Sequence, residues 1–468
     1  MPPKNQTVIY SEFIRCDDLL PQIISQKLQP QGYRSYWYGK GHTGYKSMAH
    51  LPINRGFDDH IGYLTGMQSY TSPVRWQQER PLNTREYSTH LFGDAAVGAL
   101  EAHNASEPFF MYLPWQAVHD PYDDVPGWPY NDGNWELNAT GTYRGMLWLT
   151  DVYVGKLVEL LHKKGMWDNT LIVFASDNGG RGAGVNYPYR GEKRTNYEGG
   201  MRVPAFVSGG LLPSAVRGTT SDVRMHIVDW YPTFCRLAGV DPSDDSPVPP
   251  LPVPPSDPTP VDAPFHDSCT FCGCDWKATT DIYGNESWPG VDGVDVWDMI
   301  VKPSQYHQYS AHHTIALSHE VLLKGKYKLM VSQRGNTHQD YDEFEAGWRH
   351  PNLTWVQPSN RTCGVVNGNW TNTKGHFIPC LFDLEADPRE EVDLSAAMPK
   401  LRDLMYKQLN DTWRTFYVAR SPPELLGHCD SECADKKWVS MRGRKKSGPV
   451  CGVPGCSKLQ KERPWAIF

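Results

Sequence analysis

Three apolar runs in this 468-residue chain end in residues able to hold an anion or a hard cation. The plainest is Thr170–Gly180, TLIVFASDNGG, where Leu171, Ile172, Val173 and Phe174 lead towards Asp177 and Asn178. A carboxylate beside a side-chain amide offers two oxygen donors of the kind a hard divalent cation prefers. Gly179 and Gly180 let the backbone turn sharply and approach a ligand. Taken alone, Asp-Asn-Gly-Gly is equally an ordinary turn. The second run, Pro108–Leu113, leads into Gln116, His119 and Pro121, and the third, Tyr33–Tyr38, into Gly39-Lys40-Gly41-His42-Thr43-Gly44. Arg190-Gly191-Glu192-Lys193 then adds a further cation. Histidines can move protons near neutral pH, and lysines can offset charge building on a leaving oxygen.

Strands must position these residues. A short continuous apolar run suits a strand covered on both faces. In open α/β sheets, ligands collect beyond the carboxyl ends of the strands. Strand ends that deliver Lys40 with His42, then His119, then Asp177 with Asn178 therefore read as one site, with Lys193 at its rim. Leu149, Val152, Leu157, Leu160 and Leu161 form a helical stripe ending at Lys163-Lys164-Gly165, directly before the Thr170 strand. Residues 20–29 predict a short helix with Pro21 in its first turn, stopped by Pro30 and Gly32. From about Tyr309, the strand candidates SHEVLLKGKYKLMVS and CLFDL precede a helix over 398–417, a pattern expected of a second α+β domain.

The motifs GKGHTG (39–44), QAVHDP (116–121), FASDNGG (174–180) and RGEK with YEGGMRVP (190–204) resemble those of the type I sulfatases, above all arylsulfatases of the N-acetylgalactosamine-4-sulfatase kind. LPINRGFDDHIGYLTG (51–66), HIVDWYPTFCRLAGV (226–240), DGVDVWDMI (292–300) and LFDLEADPREEVDL (381–394) extend the resemblance over roughly residues 15–415. Gly41 and Thr43 depart from it, since the family usually has Trp and Leu there. The resemblance implies an alkaline-phosphatase-like α/β fold: a mixed, mostly parallel sheet between helices, with a smaller C-terminal α+β domain. Expected boundaries are 1–305 for the catalytic domain, with an exposed proline-rich insertion at about 241–264, then 306–420 for the smaller domain and 421–468 for a Cys-rich tail.

The implied activity is hydrolysis of sulfate monoesters by a formylglycine nucleophile beside one calcium ion. Lys40 and Lys193 would hold sulfate oxygens, and His119 would serve the bridging oxygen as proton donor. His42 would act as a base beside the formylglycine, and Asp177 and Asn178 would supply half of the calcium shell. The family's Cys-x-Pro-Ser-Arg motif, whose cysteine becomes formylglycine, begins at none of the eleven cysteines, and the paired aspartates completing the metal shell have no counterpart. Met1 is therefore read as an internal methionine of an incomplete gene model, and the chain as inactive by itself. The full-length form would need the formylglycine-generating enzyme. The alternative is an inactive remnant that binds sulfated glycans. A phosphodiesterase of the same superfamily fits less well, because such enzymes usually bind two metals through more His and Asp residues.

Composition is compatible with that family. The net charge of −7, with no basic stripe, argues against nucleic acid as a partner. No apolar run approaches the roughly 20 residues of a membrane span. Asn5, Asn104, Asn138, Asn285, Asn352, Asn360, Asn369 and Asn410 all begin N-x-S/T, which points to the secretory pathway and a secreted or lysosomal protein. Cysteines cluster at 269–274, 363–380 and 429–456; in such a compartment they predict disulfides rather than zinc ligands.

Overall fold

A computed structural model of the protein describes residues 22–43, 51–129, 135–243, 291–318, 320–331 and 379–413, with backbone alone at 135–140 and 413. The chain divides into two compact units, one formed by residues 1–165, 231–293 and 418–468, the other by 166–230 and 294–417.

In the first unit α1 (Ile24–Leu28) runs into a 3-10 turn at Gln29–Gln31 and ends on left-handed Gly32. The expected helix over 20–29 is thus shorter than its pattern, and Pro30 sits inside the closing turn instead of stopping it, as its fixed φ allows. Strands β1 (Arg34–Lys40), β2 (Asp59–Tyr63), β3 (Val74–Gln77) and β4 (Arg80–Asn83) precede α2 (Ser88–Ala102), β5 (Phe109–Tyr112) and α3 (Trp135–Lys163). They form one mixed sheet in the order β4-β3-β2-β1-β5. β1 pairs in parallel with both β2 and β5, while β2–β3 and β3–β4 are antiparallel. Parallel neighbours need a crossover, and α2 lies in the chain between β4 and β5. Helix α2 packs on α3 where Gly93 leaves room for Tyr153: a Cβ there would lie 2.3 Å from the ring. The Tyr153 hydroxyl donates to Asp94, tying the helices together. Gly165, at φ 68, closes α3 as its glycine stop predicts. Within the sheet, His60 is fully buried, and burial lowers its pKa to about 4.

The second unit opens with β6 (Ile172–Ala175), α4 (Glu198–Met201) and β7 (Ala205–Ser208); α5 (Trp230–Ala238) starts at its last residue before the break, Trp230, and otherwise belongs to the first unit. It continues with α6 (Trp297–Val301), β8 (Thr314–Ser318), β9 (Val321–Lys324), β10 (Tyr327–Met330), β11 (Cys380–Asp383) and α7 (Pro399–Trp413). Strand β6 differs from its expectation. Its four residues are half-buried rather than covered on both faces, and among the described residues it pairs only with antiparallel β7, Phe174 stacking on Phe206. An apolar run reports a tendency to be buried without naming the neighbours that will bury it.

Strands β11-β10-β9-β8 form an antiparallel sheet. Alternation divides its side chains: Leu322, Leu329 and Leu381 pack on Met405 and Leu409 of α7, while Val321, Met330, Cys380 and Phe382 pack on Tyr197. Lys328, two residues before Met330, therefore shares the Tyr197 face. There it is fully buried, with Nζ 2.9 Å from both Glu198 and Glu390. The expected helix end at 417, the proline-rich segment beyond residue 243 and the Cys-rich tail lie outside the described residues. Among the described residues no helix is long and apolar enough to cross a membrane. Asn104 and Asn410 are exposed.

Candidate functional site

Because β1 and β5 are parallel neighbours, their carboxyl ends share one edge of the first sheet. Lys40 closes β1, and its N–H donates to the Pro114 carbonyl just beyond β5 at 2.8 Å. That approach demands glycine at position 39, where φ is +141 and a Cβ would lie 2.2 Å from Pro114 O. Gly41 N–H then donates to Tyr63 O and His42 N–H to Leu64 O, so the loop is stitched to the end of β2 as well. His42 holds a left-handed φ of 60, rare for a residue with a side chain. Its imidazole lies over Gly66, where a Cβ would come within 2.5 Å of Nε2. A strained backbone and a cleared space for one ring are features that gather at working sites.

The loop after β5 carries His119. Its N–H closes a turn onto Gln116 O at 2.9 Å, and its carbonyl accepts from the Tyr70 hydroxyl at 2.9 Å. Nδ1 lies 2.7 Å from the Asp120 carbonyl and 3.0 Å from the Asp120 carboxylate. A carbonyl only accepts, so Nδ1 carries hydrogen. Nε2 has no partner among the described residues; it is a lone pair in the neutral ring and an N–H donor in the imidazolium. Gln116, which shares this motif, has a structural job: buried, it accepts from Ser88 Oγ and donates to Gln68 O. Asp123 went unnoticed in the sequence, yet it anchors Ser69 and Tyr70 beneath the loop. The aromatic and acidic content of 119–124 was its only signal.

In the second unit the loop after β6 folds against the 186–200 segment. Gly179 N–H donates to Gly200 O at 3.0 Å, and an ideal Cβ at Gly179 would lie 1.7 Å from Gly199 O. Asn186, also missed, clips the loop: Oδ1 accepts from Gly180 N–H, and Nδ2 donates to the Gly180 and Gly191 carbonyls. Lys193 N–H reaches Gly180 O at 3.4 Å. The structure thus brings Asp177, Asn178 and Lys193 into one loop cluster, and Lys40, His42 and His119 to one sheet edge. Replacing Gly179 with Ala should part the two segments and lower stability by roughly 1–3 kcal/mol. An unchanged melting temperature would contradict this packing.

Asp177 is exposed and makes no hydrogen bond or ion pair among the described residues. Asn178 commits its Nδ2 to Gly179 O and leaves Oδ1 available. These two oxygens fit a hard cation in kind but not in number, since calcium takes six to eight. Among the described residues no group of three or more His, Cys, Asp or Glu is gathered as a metal site.

The mixed sheet with parallel strands among helices and the separate smaller sheet define an alkaline-phosphatase-like fold. The sulfatase family model matches residues 2–240, just over half of the chain, and the protein belongs to that family. Mouse arylsulfatase J is 26% identical over 440 residues, covering 87% of this chain and 65% of the relative. Human N-acetylgalactosamine-6-sulfatase is 29% identical over 250 residues, covering 48% and 46%. The chain thus spans less than two thirds of the length of these curated relatives. Among solved structures, Ps i-CgsB superposes with a TM-score of 0.56 at 22% identity, covering 84% of this chain and 74% of that one. The PsFucS1 sulfatase from Pseudoalteromonas sp. superposes with the same score at 19% identity, covering 84% and 72%. Both show the shared fold.

Proposed function

We propose that this protein is the sulfate-recognising part of a sulfuric ester hydrolase acting on sulfated glycans, with Lys40, His42 and His119 in the first unit and Asp177, Asn178 and Lys193 in the second as its functional residues. The observation that carries this reading is the shared carboxyl edge of β1 and β5 in a sulfatase-family chain, where β1 ends at Lys40 and the chain after β5 leads to His119. In this reading Lys40 and Lys193 neutralise sulfate oxygens as the ester bond lengthens. His119, held through Nδ1, hands a proton from Nε2 to the departing sugar oxygen, and His42 accepts protons at the opposite step. Asp177 and Asn178 would hold part of a calcium shell, and that ion would supply electrostatic stabilisation of the sulfate. Formylglycine would supply the nucleophile where its motif is present. A glycan substrate is supported by the name of N-acetylgalactosamine-6-sulfatase and by a Ps i-CgsB structure in complex with a neocarrahexaose. The eight sequons support a glycosylated, disulfide-bonded protein of the secretory pathway, secreted or lysosomal, and the formylglycine-generating enzyme is the partner expected for an active form.

Binding of N-acetylgalactosamine 4-sulfate, followed by calorimetry with calcium present, tests the reading without turnover. Lys40→Ala and Lys193→Ala should each weaken binding about tenfold or more, since a charge-assisted hydrogen bond contributes roughly 1.5–3 kcal/mol. Undiminished binding by both variants would sink it.

A further inference from the structure

Two exposed arginines of the second unit stack on neighbouring tyrosines. Arg202 lies over the Tyr189 ring, 4.9 Å from its centroid, and Arg389 over Tyr187 at 5.4 Å, with NH2 3.1 Å from the Tyr187 hydroxyl. Neither forms an ion pair among the described residues. Several other arginines pair with acids. Arg34 pairs with Asp58 and Glu107, Arg402 with Asp403, and Arg181 with Glu192. A third guanidinium stands nearby: Arg224, stacked 4.6 Å over Tyr309, is held below its ordinary pKa, first by burial and further by the charge of Arg202, with Glu198 and Glu385 acting the other way. Arg202 and Arg224 stand close enough to repel each other, and a bound anion would relieve that repulsion.

Position supplies the second argument. Tyr187 and Tyr189 belong to the segment that Asn186 clips to Gly180 and that ends at Lys193, so they flank the proposed sulfate-binding loop. A guanidinium lying on an aromatic face can still offer N–H groups to a carboxylate or sulfate, although Arg389 gives one of its donors to the Tyr187 hydroxyl. The chain's net charge of −7 rules out drawing anions by its overall field, so recognition falls to local donors such as these.

We propose that Tyr187, Tyr189, Arg202 and Arg389 form a second anion subsite beside Lys193, which takes the carboxylate or additional sulfate of the sugar next to the one bearing the target ester. The inference rests on the sulfate-ester reading above and narrows it to glycans with an anionic group on the neighbouring sugar. An isolated aryl sulfate would leave the subsite empty.

Calorimetry on the full chain with three probes tests it: N-acetylgalactosamine 4-sulfate, a chondroitin 4-sulfate disaccharide bearing a uronate, and a carrageenan disaccharide bearing two sulfates. The wild type should bind at least one disaccharide about tenfold more tightly than the monosaccharide. Arg202→Gln with Arg389→Gln should abolish that advantage, leaving monosaccharide binding and the melting temperature unchanged. Loss for the uronate probe alone identifies a carboxylate subsite, loss for the disulfated probe alone a sulfate subsite, and loss for both a subsite open to either. The proposal is overturned if neither disaccharide binds more tightly than the monosaccharide, or if the double variant weakens all probes alike or none. Lys193→Ala separates the two readings. If it spares monosaccharide binding the sulfate-site assignment fails, whatever the arginine variants do.

Discussion

The 468-residue chain should release sulfate from 4-nitrocatechol sulfate no faster than buffer does, even when co-expressed with the formylglycine-generating enzyme. None of its eleven cysteines begins Cys-x-Pro-Ser-Arg. Lysines and histidines can bind and polarise a sulfate, but transfer needs an oxygen nucleophile. In a hydrolase working through a covalent step, loss of the nucleophile lowers kcat by on the order of 10⁶-fold, which takes turnover below detection. The cation shell compounds the loss, because calcium affinity depends on ligand charge and Asp177 is the one carboxylate in the Asp-Asn pair. Fusing the motif-bearing amino-terminal segment of an active sulfatase ahead of the chain should restore activity on aryl or sugar sulfates. Turnover by the unfused chain well above background would show the site assignment to be wrong. A folded but silent chimera would favour the glycan-binding reading instead.

The elements nearest the site were legible because their signals are local. The runs YRSYWY, PFFMYL and TLIVF mark β1, β5 and β6 to within one or two residues, and the glycines at 39, 179 and 180 announce close backbone approaches that the structure contains. Strand β8 was missed because Thr314–Ser318 is a five-residue edge strand of half-buried residues with no run to mark it. The partners of β6 were also invisible, since burial on both faces is a tendency that tertiary context can override. Asn186 looked like a loop residue because its work is done on carbonyls five and six positions away. Lys328 was hardest of all. In KYKLM it passes for a solvated lysine, although it shares its face with Met330, and its carboxylate partners lie 130 and 62 positions away in the chain. A charge at the inward position of an alternating strand was the one available clue.

That lysine carries the second large prediction. Lys328 and Glu390 are fully buried and Glu198 nearly so, and one ammonium faces two carboxylates. Glu390 Oε2 also accepts from Glu198 N–H at 2.6 Å, and Arg190 donates to the Glu390 carbonyl. Burial, then the Glu198 charge, push the Glu390 pKa up to about 7 against the pull of Lys328. A carboxyl group whose pKa rises on folding binds more protons folded than unfolded between about 4.5 and 7. Its contribution is therefore complete below about pH 4.5 and is lost as pH climbs towards 7. His60, whose pKa is lowered from 6.5 to about 4, acts in the opposite sense over an overlapping range, its contribution being lost as pH falls. The wild-type profile mixes the two, and only a difference between variants isolates Glu390. Relative to Glu390→Gln, the wild type should lose stability by up to about 1.4 kcal/mol per pH unit inside that window. Lys328→Met removes the ammonium that pairs with both carboxylates. At pH 7.5 it should cost roughly 3–5 kcal/mol, the penalty for stranding buried charge. At pH 5 the penalty should shrink, because protonation neutralises the Glu390 carboxyl left behind. Urea unfolding midpoints at both pH values provide the measurement. An equal loss at pH 5 and 7.5 would mean that Lys328 acts through packing alone.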